Sequence, residues 1–193
     1  KGGSGKSTLS ANVAVLWSNS GYKVAVIDAD PQKSLTYWLS ERKKYYGADD
    51  IGIDFYNFDI RNLSEEIKKI KRKYDFIIID SPPAITFGTI QIIKASKGVF
   101  VPVQPSPLDL MATLPFLQIA REERKKPLII LNRVMPRARL TDAMILRLRY
   151  SGAKIARSRI SSKVIFAETY AVGRGVIDIN VTSDAAKEII NVG

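Results

Sequence analysis

The sequence predicts a doubly wound α/β fold, a mostly parallel sheet with helices on both faces, and three observations carry that prediction. A glycine-rich loop, Lys1-Gly2-Gly3-Ser4-Gly5-Lys6-Ser7-Thr8, opens directly into a helical stretch. Two apolar runs, Tyr22 to Asp28 and Asp75 to Asp80, each end in a carboxylate and are unbroken enough to be strands buried on both faces. Strand-length and helix-length segments then alternate along the rest of the chain, which places ligand chemistry at the carboxyl ends of the strands.

Taken in order, glycines 2, 3 and 5 let backbone N–H groups close around phosphate oxygens, while Lys6 reaches the β/γ-phosphates and the Ser7 hydroxyl can ligate Mg²⁺. Thr8 to Asn19 follows as a helix whose N-terminal partial charge faces the same phosphates. A loop of this kind is launched by a strand, so a first strand is expected before Lys1. Gly21 stops the helix ahead of the first apolar run. Ser34 to Tyr46 is expected to be helical, with Leu35, Trp38 and Leu39 on one face, and both Trp17 and Trp38 are expected in the core. Ile53 to Phe58 suits a strand, and Ser64 with Glu65 and Glu66 a helix start. The strand from Asp75 is stopped by Ser81-Pro82-Pro83. Helices are then expected from Thr86 to Ser96 and Leu108 to Lys125, with strands from Gly98 to Val103 and Leu128 to Leu131. An arginine-rich helix from Leu140 to Tyr150, a strand from Lys154 to Ile160, a helix from Lys163 to Ala171 and a terminal helix from Ser183 complete the chain.

At 193 residues, 46% of them apolar, residues 1–193 are expected to form a single domain with a substantial core. There is no cysteine and no histidine, which excludes disulfides, thiolate zinc or iron–sulfur sites and the usual general base. Catalysis must rest on carboxylates, lysines and a bound metal. No apolar run approaches a membrane span and no secretory signal is visible, so a cytoplasmic location is expected. The net charge of +11 suggests a polyanionic partner. Between Arg133 and Lys163 nine Lys/Arg face Asp142 alone, a net of +8 that leaves only +3 for the remainder. Arg147, Arg149, Lys154, Arg157, Arg159 and Lys163 are the candidate contacts to DNA phosphates, and a solvated basic face is the plain alternative.

Three strand ends deliver groups to one crevice if the sheet is parallel: the phosphate loop, Asp28-Ala29-Asp30-Pro31-Gln32, and Asp80-Ser81-Pro82-Pro83. Phosphoryl transfer needs charge neutralisation and an oriented water more than covalent chemistry. Asp80 is the candidate second-shell carboxylate for Mg²⁺, Asp30 the residue that positions water, and Asp28 a support for metal and loop. Each aspartate by itself also fits a helix cap or a turn.

In this order, Lys-Gly-Gly-Ser-Gly-Lys-Ser-Thr, Asp-Ala-Asp-Pro-Gln and Ile-Asp-Ser-Pro-Pro resemble the ParA-type partition ATPases, the deviant Walker-A group of P-loop NTPases that also contains MinD. Val101-Pro-Val-Gln-Pro-Ser-Pro-Leu-Asp109 is similar to the small members without an N-terminal DNA-binding domain, and the resemblance spans nearly the whole chain. It implies an ATP-bound sandwich homodimer in which Lys1 crosses to the partner's phosphates while Lys6 serves its own. It also implies that Asp30 is the hydrolytic aspartate, that the stretch beginning Asp80, Ser81, Pro82, Pro83 is a γ-phosphate switch, and that Asn132 contacts adenine; a turn role fits Asn132 equally. The resemblance further implies an ATPase whose ATP-bound dimer binds double-stranded DNA without sequence preference; the Ser7 hydroxyl makes Mg²⁺ dependence the expectation, and the absence of an obvious strong general base makes weak basal hydrolysis the expectation. Its expected place is the nucleoid, and its expected stimulator a ParB-like centromere-binding adaptor in plasmid or chromosome segregation.

A MinD-like membrane-positioning role needs a basic amphipathic C-terminal helix, and the stretch from Ser183 offers one lysine against Asp184 and Glu188, so no membrane partner is expected. Positioning of a protein cargo by the same cycle is the other alternative.

Overall fold

The computed structural model describes residues 3–47, 51–135 and 139–193. Helix α1 (Lys6–Asn19) follows the phosphate loop and leads to β1 (Val24–Asp28) and α2 (Ser34–Tyr46). Next come β2 (Ile53–Tyr56), a 3₁₀ turn (Ile60–Asn62) running into α3 (Leu63–Ile70), β3 (Phe76–Asp80) and α4 (Phe87–Ala95). The rest is β4 (Phe100–Val103), α5 (Pro107–Glu122), β5 (Leu128–Leu131), α6 (Arg139–Tyr150), β6 (Lys154–Ile155), α7 (Ile165–Ala171), α8 (Val176–Ile179) and α9 (Asp184–Ile190).

The strands pair in parallel as two three-stranded sheets, ordered β2-β1-β3 and β4-β5-β6. Helix α1 packs on both β3 and β4, so it spans the two. Period-two side-chain alternation sorts the strands between faces. Val24 and Val26 of β1 and Ile130 of β5 join one core with α1, α2, α7, α8 and α9. Ile27 turns the other way onto Leu63 and Ile92, and Ile129 and Leu131 onto α5 and α6. Helices therefore cover both faces, as a doubly wound sheet requires. Each fully buried Leu or Ile contributes about 1.5–3 kcal/mol.

The predicted strand from Lys154 to Ile160 keeps only its first two residues. Beyond them Arg157 and Arg159 turn outward, and the backbone returns to the sheet through isolated bonds from the Ala156 N–H to the Ile129 carbonyl (2.8 Å) and from the Ile160 N–H to the Leu131 carbonyl (2.8 Å). Charges at alternate positions cannot enter a sheet covered on both faces. Ser64 does not start its helix: the Asp59 carboxylate accepts from the Arg61 N–H (2.9 Å) and begins the turn earlier, which carries Leu63 into the core. Trp38 is fully buried, whereas Trp17 is half-buried and stacks on Phe76 at 4.0 Å.

A buried ion pair fastens α2 to α8. Arg42 Nη1 lies 2.8 Å from Asp178 Oδ2, with side chains only 5% and 6% exposed. Arg42 also donates to the Ile51 and Gly173 carbonyls and lies over the Trp38 and Tyr46 rings. These bonds and ring contacts compensate the burial of the charge.

Candidate functional site

The phosphate loop is shaped by two left-handed glycines, Gly3 (φ 82°) and Gly5 (φ 89°). At Gly5 a Cβ would also overlap the Asn132 amide, so backbone and neighbour both demand glycine there. Gly5 caps α1 without a side chain, and the first turn holds no acidic residue. The helix N-terminus is left open to an anion. Lys1 and Gly2 lie outside the described residues; Gly3, Ser4 and Gly5 form the loop, and Lys6, Ser7 and Thr8 begin the helix.

The second sheet braces this loop. Gln104 Nε2 donates to the Gly3 carbonyl (2.7 Å), and Asn132 Nδ2 donates to the Ser4 carbonyl (2.7 Å). Asn132 also accepts from the Arg133 N–H at 3.0 Å.

On the other side stand the carboxylates. Parallel pairing sets Asp28 opposite Asp80, and the Ala29 N–H donates to the Asp80 carbonyl (2.9 Å). Ser7 Oγ donates to Asp80 Oδ2 at 2.5 Å and Ser10 Oγ to Asp80 Oδ1 at 3.3 Å. Burial pushes the Asp80 carboxyl up to about 6, an effect that the charges of Asp28 and Asp30 reinforce, against the Ser7 bond and Lys6. Asp28 is committed to structure: Oδ1 accepts from the Asp30 N–H (3.1 Å), and Oδ2 accepts from both the N–H and the hydroxyl of Thr36 at 2.8 Å. Asp30 is buried and accepts from the Gln32 N–H at 2.9 Å. Ser81, Pro82 and Pro83 lead from β3 into an exposed run that ends at Thr86, whose hydroxyl caps α4.

These groups fit a Mg²⁺ ion that arrives with a polyphosphate. Among the described residues no three acidic side chains gather closely enough to cage a metal. Mg²⁺ characteristically takes one or two protein oxygens and completes its shell with phosphate and water. A hydroxyl at the loop, backed by a buried carboxylate that gains from nearby positive charge, is such a donor set.

Beside the loop opens a cavity of about 100 Å³. Thr8, Asn132, Ser161, Lys163, Phe166 and Ile189 are among its walls. Lys163 is thus drawn away from the other predicted DNA contacts: its ammonium lies 2.8 Å from Glu188 Oε1. Arg147, Arg149, Lys154, Arg157 and Arg159 are exposed, and Arg159 lies 3.8 Å from Asp142 in a solvated pair.

Sequence reasoning missed three residues here: Gln104, Glu188 and Tyr170. The Tyr170 hydroxyl donates to the Ser34 carbonyl (2.7 Å), and burial, then the charges of Asp80 and Asp28, hold its phenol above the usual range. Nothing local in the sequence marks an α7 tyrosine as a neighbour of two strand-end carboxylates.

Comparison with known proteins supplies the context. The family model of the CobQ/CobB/MinD/ParA nucleotide binding domain matches residues 1–176. The maintenance of carboxysome distribution protein A of Halothiobacillus neapolitanus is 27% identical over 197 residues, covering 99% of this chain and 89% of that protein. The chromosome-partitioning ATPase Soj of Thermus thermophilus is 26% identical over 218 residues, covering 96% and 88%. Matches to some other relatives span less of them, 62% and 41% in two cases. Among solved structures, an ATP complex of Cyanothece McdA superposes with a TM-score of 0.83 at 20% identity, over 100% of this chain and 91% of that one, a likeness of fold.

Proposed function

The chain belongs to the CobQ/CobB/MinD/ParA nucleotide-binding family of P-loop ATPases, and from that premise we propose that it is a Mg²⁺-dependent ATPase that positions a cargo on DNA. The observation that carries the reading is the Ser7 hydroxyl, held 2.5 Å from buried Asp80 at an open helix N-terminus. When bound, Mg²⁺ neutralises phosphate charge. Ser7 would hold it, with Asp80 orienting Ser7, while Lys6 would bind the phosphates of its own subunit and Asp30 would orient the attacking water. Lys1 reaches the partner's phosphates in an ATP-bound homodimer. Two copies side by side then roughly double the DNA phosphate contacts made by Arg147, Arg149, Lys154, Arg157 and Arg159.

In the first reading the cargo is DNA and a ParB-like centromere-binding adaptor stimulates hydrolysis on the nucleoid. In the second, favoured by the 27% identity to a carboxysome distribution protein over 99% of this chain, the same cycle spaces a protein assembly. Light scattering with ATP tests the shared core. Lys1→Ala should keep most nucleotide binding and lose dimerisation, while Asp30→Ala should accumulate the ATP dimer. If both variants dimerise and turn over like the parent, the intersubunit mechanism is wrong. Proteins recovered with Asp30→Ala separate the readings: a centromere-binding protein supports partition, and a cargo-assembly protein supports positioning.

A further inference from the structure

We propose that Glu188 of α9 is the positioning residue for the nucleotide base, acting through the strap of residues 156–163 that walls the cavity beside the phosphate loop; the proposal rests on the ATP-binding reading above. After β6 this strap has no regular structure of its own. One edge is tied to the second sheet: the Ile160 N–H donates to Leu131, the Val134 N–H to Ile160 (3.0 Å) and the Ser162 N–H to Val134 (3.0 Å).

Its other edge is held by one glutamate. Glu188 Oε2 accepts from the Ser161 N–H at 2.9 Å, and Oε1 accepts from the Ser161 hydroxyl (2.7 Å) and the Lys163 ammonium (2.8 Å). The Ser158 hydroxyl adds a bond to the Glu188 carbonyl at 3.1 Å. A carboxylate with three donors on two residues, all three bonds partly buried, fixes both in position and direction. Ser161 and Lys163 line the cavity, as does Ile189, the next residue of α9, whereas Glu188 itself does not. Its action is therefore indirect.

The cavity chemistry suits a flat heteroaromatic ring. Leu9, Ile160, Phe166 and Ile189 give apolar walls, and Asn132 presents an amide at the loop side. A ring gains from such walls only if they stay a fixed distance apart, and an unclasped strap would let them part. The clasp also neutralises Lys163, so this lysine is assigned to the cavity wall rather than to DNA.

Calorimetric titration of the full chain with Mg-ATP and with Mg-tripolyphosphate, which lacks base and ribose, tests the assignment, with thermal melts on each variant. Glu188→Ala should weaken ATP about tenfold, the scale of lost charge-assisted hydrogen bonds, and leave tripolyphosphate within about twofold. Glu188→Gln, which can still accept from Ser161 but loses the ionic bond to Lys163, should fall between parent and Glu188→Ala. Parallel weakening of both ligands would mean a general loosening and overturn the proposal, as would unchanged ATP affinity in both variants. A parent that binds tripolyphosphate as tightly as ATP also overturns it while sparing the phosphate site; a parent that binds neither removes the ATPase reading itself.

Discussion

At the ends of β1 and β3, Asp28 and Asp80 face each other in register, buried and bonded to backbone and hydroxyl groups, whereas beside the second sheet α6 and the irregular strap turn their arginines to solvent, and the strap walls the cavity. The first sheet holds charge where water is scarce, so each charge there is coupled to the fold. The flank of the second sheet holds charge where water and salt screen it, so its charges can serve a partner without burdening the fold. Substitutions in the two regions should consequently fail in different ways.

Four probes test that division, in descending order of the largest effect each expects. Lys6→Ala should abolish ATP binding by calorimetry while the chain stays folded; undiminished affinity would remove the phosphate site. Arg42→Ala leaves Asp178 buried without its ion partner and should cost about 3–5 kcal/mol in urea unfolding. The solvated counterpart, Asp142→Ala beside Arg159, should cost no more than about 1 kcal/mol. Similar losses from both would erase the contrast.

The third probe is pH. Asp80 ionises at about 6 in the fold against an ordinary value of 3.8, so between these values the folded chain binds more protons than the unfolded one. Stability without nucleotide should therefore fall as pH rises from about 4 to about 6 and stay lower above that window. Asp80→Asn should flatten this slope and raise stability at pH 7 by on the order of 2–3 kcal/mol, while weakening Mg-ATP. A variant with the parent's pH profile would show that Asp80 is not the group responsible. The smallest effect on the fold belongs to Arg147→Glu with Arg149→Glu, which should leave stability and ATP affinity intact. The slope of log DNA affinity against log salt should drop by roughly 2 per copy, equally on unrelated duplexes. A sequence-dependent loss would mean base contacts.

The same division governs what could be read from the sequence. The phosphate loop, the strand-end aspartates and helix α2, whose observed bounds match the predicted ones, rest on short-range chemistry: glycine freedom, apolar runs and helical stripes. The wall of the cavity beside it does not. Glu188 and Ser161 meet only because α9 packs beside the strap, and in the sequence Glu188 is merely a charge that offsets a lysine. Arg42 and Asp178 lie 136 positions apart, and four-residue α8 is too short to show a helical period. The strand predicted to Ile160 failed for a related reason: its apolar residues suggested sheet, but the arginines between them required water.

Gln104 and Asn132 grip the phosphate loop from the second sheet, and Asp80, at the end of the first, accepts from Ser7 where the loop enters α1. Mechanically the loop is a keystone, loaded from both sides by sheets that are separate ladders among the described residues. A load placed on that one short segment is therefore shared by side chains from both ladders, Gln104 and Asn132 on one flank and Asp80 on the other.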